Sequence, residues 1–215
     1  MGKGAEMSKV VIIGGGTFNP ISCHLALAAP AFGGTAKQLH KMFADNGTLE
    51  PQLVLTKMAD SNSTLLTNED VETFILDVLL PNEDVKAIVM NAAICDFYVD
   101  NLYTYETRLS SSKDYPVTLK GVQGKMMTLI KQRRPDIIVA GFKTTHNASK
   151  VEQVAKAFNS MHNSNLDMVL ANDVETRSNI LITKDLTIQT GSREFLLDQI
   201  MANTVIYTNM QAWGL

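Results

Sequence analysis

Val10-Val11-Ile12-Ile13-Gly14-Gly15-Gly16 is the segment on which the architecture turns. Four consecutive β-branched residues suit a strand, and the unbroken apolar run suits one covered on both faces. Three glycines end it, so the backbone turns there and leaves room for close approach.

Working outward, further short apolar runs read as strands at 53–55, 87–90, 137–140 and 166–170. Helical segments separate them. An Ala- and Leu-rich stretch at 25–43 reads as helix, interrupted at Pro30 and Gly33-Gly34. Thr67 with Asp70 opens a helix to about residue 80, because Thr caps and an acid three residues on suits the dipole. The stretch 121–134 reads as helix. Ser149 with Glu152 forms a capping box, and Val151, Val154, Ala155 and Phe158 then share one helical face. Runs at 180–182 and 186–188 flank Lys184-Asp185 as a hairpin, and Ser192 begins a last helix carrying Phe195, Leu196, Gln199 and Ile200. The Tyr-, Ser- and Thr-rich segment 97–116 reads as irregular and long enough for a functional loop.

Strands alternating with helices predict one α/β domain, a doubly wound, mostly parallel, Rossmann-like sheet with a C-terminal β-hairpin. Residues 1–8 read as a flexible lead-in and 9–215 as the domain. A chain of 215 residues, 45% hydrophobic and 19% charged, has the composition of a globular protein rather than a disordered one. A net charge of −3 gives no electrostatic reason to expect nucleic acid or an anionic membrane as partner. No apolar run has the length of a membrane span. Lys131, Arg133 and Arg134 read as a solvated helix end. Cys23 and Cys95 make no metal or redox motif, which fits reduced thiols in the cytoplasm.

In a doubly wound sheet, ligands bind at the carboxyl ends of the strands. Four such ends carry small or amide-bearing residues: Gly14-Gly15-Gly16-Thr17, Ala92-Ala93-Ile94-Cys95-Asp96-Phe97, Gly141-Phe142 and Ala171-Asn172-Asp173. Each alone is explained by a tight turn. Together, in this order, they point to a nucleotide-like ligand. The glycines follow neither the G-x-G-x-x-G spacing nor that of a P-loop. His40, His146 and His162 have no acid or cysteine at ligand spacing and read as surface histidines, and no metal site is expected from the side chains. Met126-Met127 reads as core or subunit contact.

The ordered set resembles the phosphopantothenate–cysteine ligases. Their opening strand-Gly-Gly-Thr-x-x-Pro-Ile matches Gly15-Gly16-Thr17-Phe18-Asn19-Pro20-Ile21, and an ungapped run sets Gly33 on the family's loop glycine. Their Ala-Ala-x-x-Asp-aromatic segment is Ala92, Ala93, Asp96 and Phe97, and their Gly-Phe is Gly141-Phe142. Their Leu-Asp-x-x-x-Ala-Asn-Asp-Val is the run from Leu166 to Val174. The resemblance implies that phosphopantothenate attacks the α-phosphate of CTP or ATP, with Mg²⁺ and without flavin, before cysteine captures the acyl-nucleotide. It also implies a homodimer in which the loop through Arg108 crosses into the partner's pocket.

By the same resemblance, Gly15, Gly16, Ala92, Ala93, Asp96, Phe142 and Lys125 would bind nucleotide, and Arg108 would stand in for the reactive-loop lysine. Several family positions are altered. The loop asparagine falls on Ala29, the arginine before it on Leu25, and two serines on Ala31 and Phe32. Ser160, His162 and Ser164 occupy the region of a lysine pair, and Gln123-Gly124-Lys125 replaces an Asn-Pro-Asp segment. Lys125, Lys143 and Arg108 are the candidate replacement cations. A catalytically silent nucleotide- or pantetheine-binding protein is therefore the second reading. A third is nucleotidylyltransferase, because 15–25 is similar to the opening of nicotinate-mononucleotide adenylyltransferases, with Ser22 in place of the first histidine and His24 one residue early.

Overall fold

The computed structural model describes residues 7–100, 108–122 and 126–214. Strand β1 (Lys9–Gly16) lies inside a seven-stranded sheet of order β11-β10-β9-β8-β5-β1-β4. The other members are β4 (Glu50–Leu55), β5 (Val85–Ala93), β8 (Ile138–Thr145), β9 (Met168–Asp173), β10 (Asn179–Thr183) and β11 (Ile188–Thr190). Strands β4, β1, β5, β8 and β9 run parallel; β10 and β11 are antiparallel additions at one edge.

The four-residue apolar run explains why β1 is central. Val11 and Ile13 face one core, Val10 and Ile12 the other, and all four are fully buried. Each such side chain contributes roughly 1.5–3 kcal/mol by leaving water. Helices α1 (Gly34–Asn46) and α5 (Arg193–Ala212) cover one face; α2 (Asn68–Phe74), α3 (Met126–Arg133) and α4 (Lys150–Asn163) cover the other. The chain moves from β1 to β4 on one side and back across to β5 on the other, so the reversal point lies at the carboxyl ends of β1 and β5.

Local signals hold where they are strong. Thr67 and Asp70 form a reciprocal capping box, and α2 runs on through a π-helical turn, Ile75–Leu79. Ser149 and Glu152 form a second box, and Ser192 caps α5.

Four expectations change. The segment 25–43 is not one interrupted helix: β3 (Leu25–Ala28) pairs back on β2 (Phe18–Ser22), and helix begins only at Gly34. Pro30 keeps Ala29 out of helical geometry, and the segment is tied by Ala29 N donating to Thr17 O. The segment 97–116 is not wholly irregular, because β6 (Phe97–Val99) pairs with β7 (Leu119–Gly121), which also takes Gly121 out of α3.

The buried face of α4 carries Gln153, Ala157, Ser160 and Met161, whereas Val151 and Phe158 are exposed. Gln153 donates to Ala171 O and Ser178 O at the sheet edge, and small Ala157 and Ser160 let the helix approach; those contacts outweigh the apolar stripe. The basic cluster is solvated only in part, at exposed Arg133. Lys131 is buried and bonds Asp167 at 2.9 Å, while Arg134 donates to the Leu80 carbonyl at 2.8 Å.

Candidate functional site

At the reversal point the strands open into a cavity of about 760 Å³. Its floor is the Ala92-to-Asp96 turn after β5, and its walls are Phe142 and Lys143 of β8 and the start of α1. A neutral network holds the floor. Fully buried Thr17 donates to Asn68 Oδ1 at 2.6 Å and accepts from Cys95 N at 2.9 Å. Asn68 Nδ2 donates to Cys95 O at 2.8 Å. The first residue of α2 thus fixes the turn that presents Ala92, Ala93 and Asp96.

The structure brings Ala92, Ala93, Asp96 and Phe142 together around this cavity. Asp96 is exposed, and no described side chain bonds its carboxylate. Phe142 packs its ring toward the α1/α5 core. Gly15 and Gly16 are buried and are not among the lining residues. Gly15 has φ +104°, and a Cβ there would collide with Thr56 Oγ1; one on Gly16 would collide with the Ala29 carbonyl. These glycines let two chain segments cross at the end of β1, which is the turn reading rather than ligand contact. Arg108 is exposed and is not among the lining residues. Lys125 lies outside the described residues, as do residues 1–6 of the lead-in.

Sequence reasoning missed Arg193 and Thr35. Strand β11 returns parallel to β9 after two reversals, so α5 begins at the same edge as the cavity. There Arg193 lines the cavity, and its Nη2 donates to Thr35 Oγ1 in the first turn of α1 at 2.9 Å. The only sequence signal was Ser192 as helix cap, which places a helix start without saying what it faces. Lys143, Ser160 and Asn172 also line the cavity, and no described side chain bonds the Lys143 ammonium. Met126 and Met127 serve as core and lining together.

Asp173 behaves differently from Asp96. Its carboxylate accepts from Thr176 N at 2.9 Å, Ala148 N at 2.9 Å and Thr145 Oγ1 at 2.8 Å, among six donors in all. The Thr176 amide first, then Ala148 and the Thr145 hydroxyl, hold its pKa far below the ordinary carboxylate range against the opposing effect of burial. It fastens two loops and is not available to a ligand. His146 is exposed and not among the lining residues. Ser22, Cys23 and His24 sit at the tip of the β2–β3 hairpin and are likewise absent from the lining. Among the described residues no group of three His, Cys, Asp or Glu side chains is placed to hold a metal ion. Nor is any described helix long and apolar enough to cross a membrane.

Comparison with known proteins agrees with this fold. The chain is 26% identical over 172 residues to the coenzyme A biosynthesis bifunctional protein CoaBC of Methanocaldococcus jannaschii. That match covers 79% of this chain and 41% of the relative, so the chain spans less than half of that protein's length. The crystal structure of the DNA/pantothenate metabolism flavoprotein from Streptococcus pneumoniae superposes with a TM-score of 0.77 at 19% identity, covering 94% of this chain and all of that one. A Cab2 variant in complex with phosphopantothenate-cysteine superposes with a TM-score of 0.69 at 13% identity, over 96% of this chain and 89% of that one. At those identities the two structures establish a shared fold. The sequence profile of one family matches residues 5–195, and on that match the chain belongs to the DNA/pantothenate metabolism flavoprotein C-terminal domain family.

Proposed function

We propose that this chain is a nucleotide-dependent ligase of coenzyme A biosynthesis, joining phosphopantothenate to cysteine through an acyl-nucleotide. The observation that carries this reading is the convergence of Ala92, Ala93, Asp96 and Phe142 on one cavity at the sheet's reversal point. Small Ala92 and Ala93 allow a ligand against the backbone, Asp96 is free to accept from the nucleotide, and Phe142 offers a ring beside it. The phosphopantothenate carboxylate attacks the α-phosphate of CTP or ATP, and pyrophosphate leaves. The cysteine amine then attacks the acyl carbon, and the nucleoside monophosphate leaves.

Charge builds on the phosphates in the first step, so donors around them count most there. Mg²⁺ commonly binds through one or two carboxylates together with substrate phosphates. Asp96 is the one carboxylate among the described lining residues, and it fits that demand.

A homodimer and a cytoplasmic setting belong to the same proposal. Exposed Phe97, Leu119 and Val122 form an apolar surface on and beside the β6–β7 ribbon, which packs near β2. A second copy covering it would bring two cavities close to two such ribbons, and the loop through Arg108 with them. The two free cysteines suit a reducing compartment.

The silent-binder reading has one specific observation in its favour: neither Arg108 nor any lysine of α4 is among the residues lining the cavity. A pyrophosphate-release assay with CTP or ATP, phosphopantothenate and cysteine separates the two. Turnover requiring both nucleotide and acid is the expected result. Arg108→Ala is expected to lower turnover far more than nucleotide affinity, because a loop cation acts chiefly as charge develops. Absence of release from the wild-type chain gives the field to the silent binder, and release with nicotinate mononucleotide instead would favour the nucleotidylyltransferase.

A further inference from the structure

The corner of the cavity between α1 and α5 holds a cation that no described carboxylate pairs. Arg193 lines the cavity and spends one N–H on Thr35 Oγ1. An arginine carries five such donors in a planar fork. Burial pulls its pKa below the ordinary value, and the adjacent Glu194 offsets this only at longer range. Beside it, α1 starts at Gly33, which has φ +72° and no side chain to cap the first turn. Gly33, Gly34 and Thr35 all border the same cavity.

The second lining cation, Lys143, comes from the opposite side of the sheet. A Cβ on Gly141 would meet Leu166 and Met127, on the α3/α4 side, and Phe142 packs toward α1 and α5. Alternation along β8 then turns Lys143 to the α3/α4 side. Of the two described lining cations, Arg193 is the one that shares a side with the open turn of α1.

We propose that Arg193 is a phosphate-binding residue of this cavity, holding the polyphosphate of the nucleotide against the first turn of α1. The proposal rests on the nucleotide-dependent reading above and supplies a phosphate-side contact that this reading needs. A guanidinium engages two phosphate oxygens at once, and the Thr35 hydroxyl orients it. By holding the polyphosphate, Arg193 would align the α-phosphorus that the phosphopantothenate carboxylate attacks in the first step.

The test is calorimetric titration of the full chain with inorganic tripolyphosphate, CTP, ATP, cytidine and adenosine. Arg193→Gln is expected to weaken tripolyphosphate and the favoured nucleotide roughly 10- to 100-fold, the loss of a charge-assisted bidentate contact. Affinity for the nucleoside and the melting temperature are expected to stay at wild-type values, which a merely structural role for Arg193 would not permit. Arg193→Lys keeps the charge without the fork and is expected to lose roughly 3- to 10-fold.

Equal tripolyphosphate affinity in wild type and Arg193→Gln overturns the phosphate site and leaves the ligase reading standing. Should Arg193→Gln fail to fold, unchanged affinity in Arg193→Lys overturns it equally. Wild-type binding of tripolyphosphate through Arg193, with neither nucleotide bound, keeps the phosphate site and removes the nucleotide-dependent reading. Wild-type protein that binds no tripolyphosphate and no nucleotide overturns both.

Discussion

Two edges of the same sheet treat charge in opposite ways. Near the amino ends of β8 and β9, Asp167 is buried and accepts from Lys131 at 2.9 Å, Lys184 at 3.3 Å and Val139 N at 2.8 Å. Lys184 also lies 4.2 Å from the ring centre of Tyr207, joining the hairpin to α5. Asp167, Lys131 and Lys184 all have partners. At the carboxyl edge, Asp96 and Lys143 border a cavity with no described partner, and the polar groups beneath them, buried Thr17 and half-buried Asn68, are neutral. The first arrangement fixes the fold, since an unpaired charge in that place would be costly. The second leaves charge unsatisfied where a ligand can satisfy it.

The largest effect should come from breaking the paired edge. Asp167→Ala leaves Lys131 buried without its carboxylate and is expected to cost about 3–5 kcal/mol of folding stability, read as a lower midpoint in urea. Ligand affinity in the remaining folded protein should hardly change. If Asp167→Ala melts like wild type, the pairing is dispensable and the contrast between the edges fails.

Asp96→Ala reverses the pattern. Nucleotide affinity is expected to fall by about 1–3 kcal/mol in calorimetry, and stability to stay within about 0.5 kcal/mol of wild type. Unchanged nucleotide affinity would move the ligand away from Asp96.

The smallest effect sharpens the comparison, because Asp173 lies on the open edge and yet is saturated by donors. Its folded pKa is depressed below the unfolded value near 4, so its contribution is fully present above that value and is lost as acid protonates the folded carboxylate. Below about pH 4 the urea midpoint of wild type should fall more steeply than that of Asp173→Asn, which has no such proton to take up. Parallel acid profiles for the two proteins would refute this.

What could be read from the sequence depended on how local each cause is. The β-branched run of β1 and both capping boxes are set by neighbouring residues, and all three formed. Ala92, Ala93, Asp96 and Phe142 were legible because strand carboxyl ends converge in any doubly wound sheet. The β3 strand was hidden because its cause is distant: the chain after it crosses beside Gly16, whose missing side chain makes the room. The face of α4 was misjudged because Gln153 reaches backbone carbonyls of β9 and the following turn, a contact no periodicity reveals. Arg193 was missed because its position depends on two antiparallel reversals downstream of β9. Gly15 and Gly16 were read as nucleotide contacts as well as a turn, and what they accommodate in the structure is the protein's own Thr56 and Ala29.

Helix α5 has a consequence for how the protein is made. It covers Leu170 and Leu181 together with its own Leu196, Leu197 and Ile200, and in the order of synthesis it follows every strand it covers. A nascent chain halted before residue 193 would carry all seven strands of the sheet with part of one face still wet. Strand pairing can therefore begin during translation, but closure of that core waits for α5. Arg193 is the first residue of that helix, so the cavity gains its α5 cation at the moment the core becomes able to close. Incomplete chains would be targets for chaperones before they could become competitors for ligand.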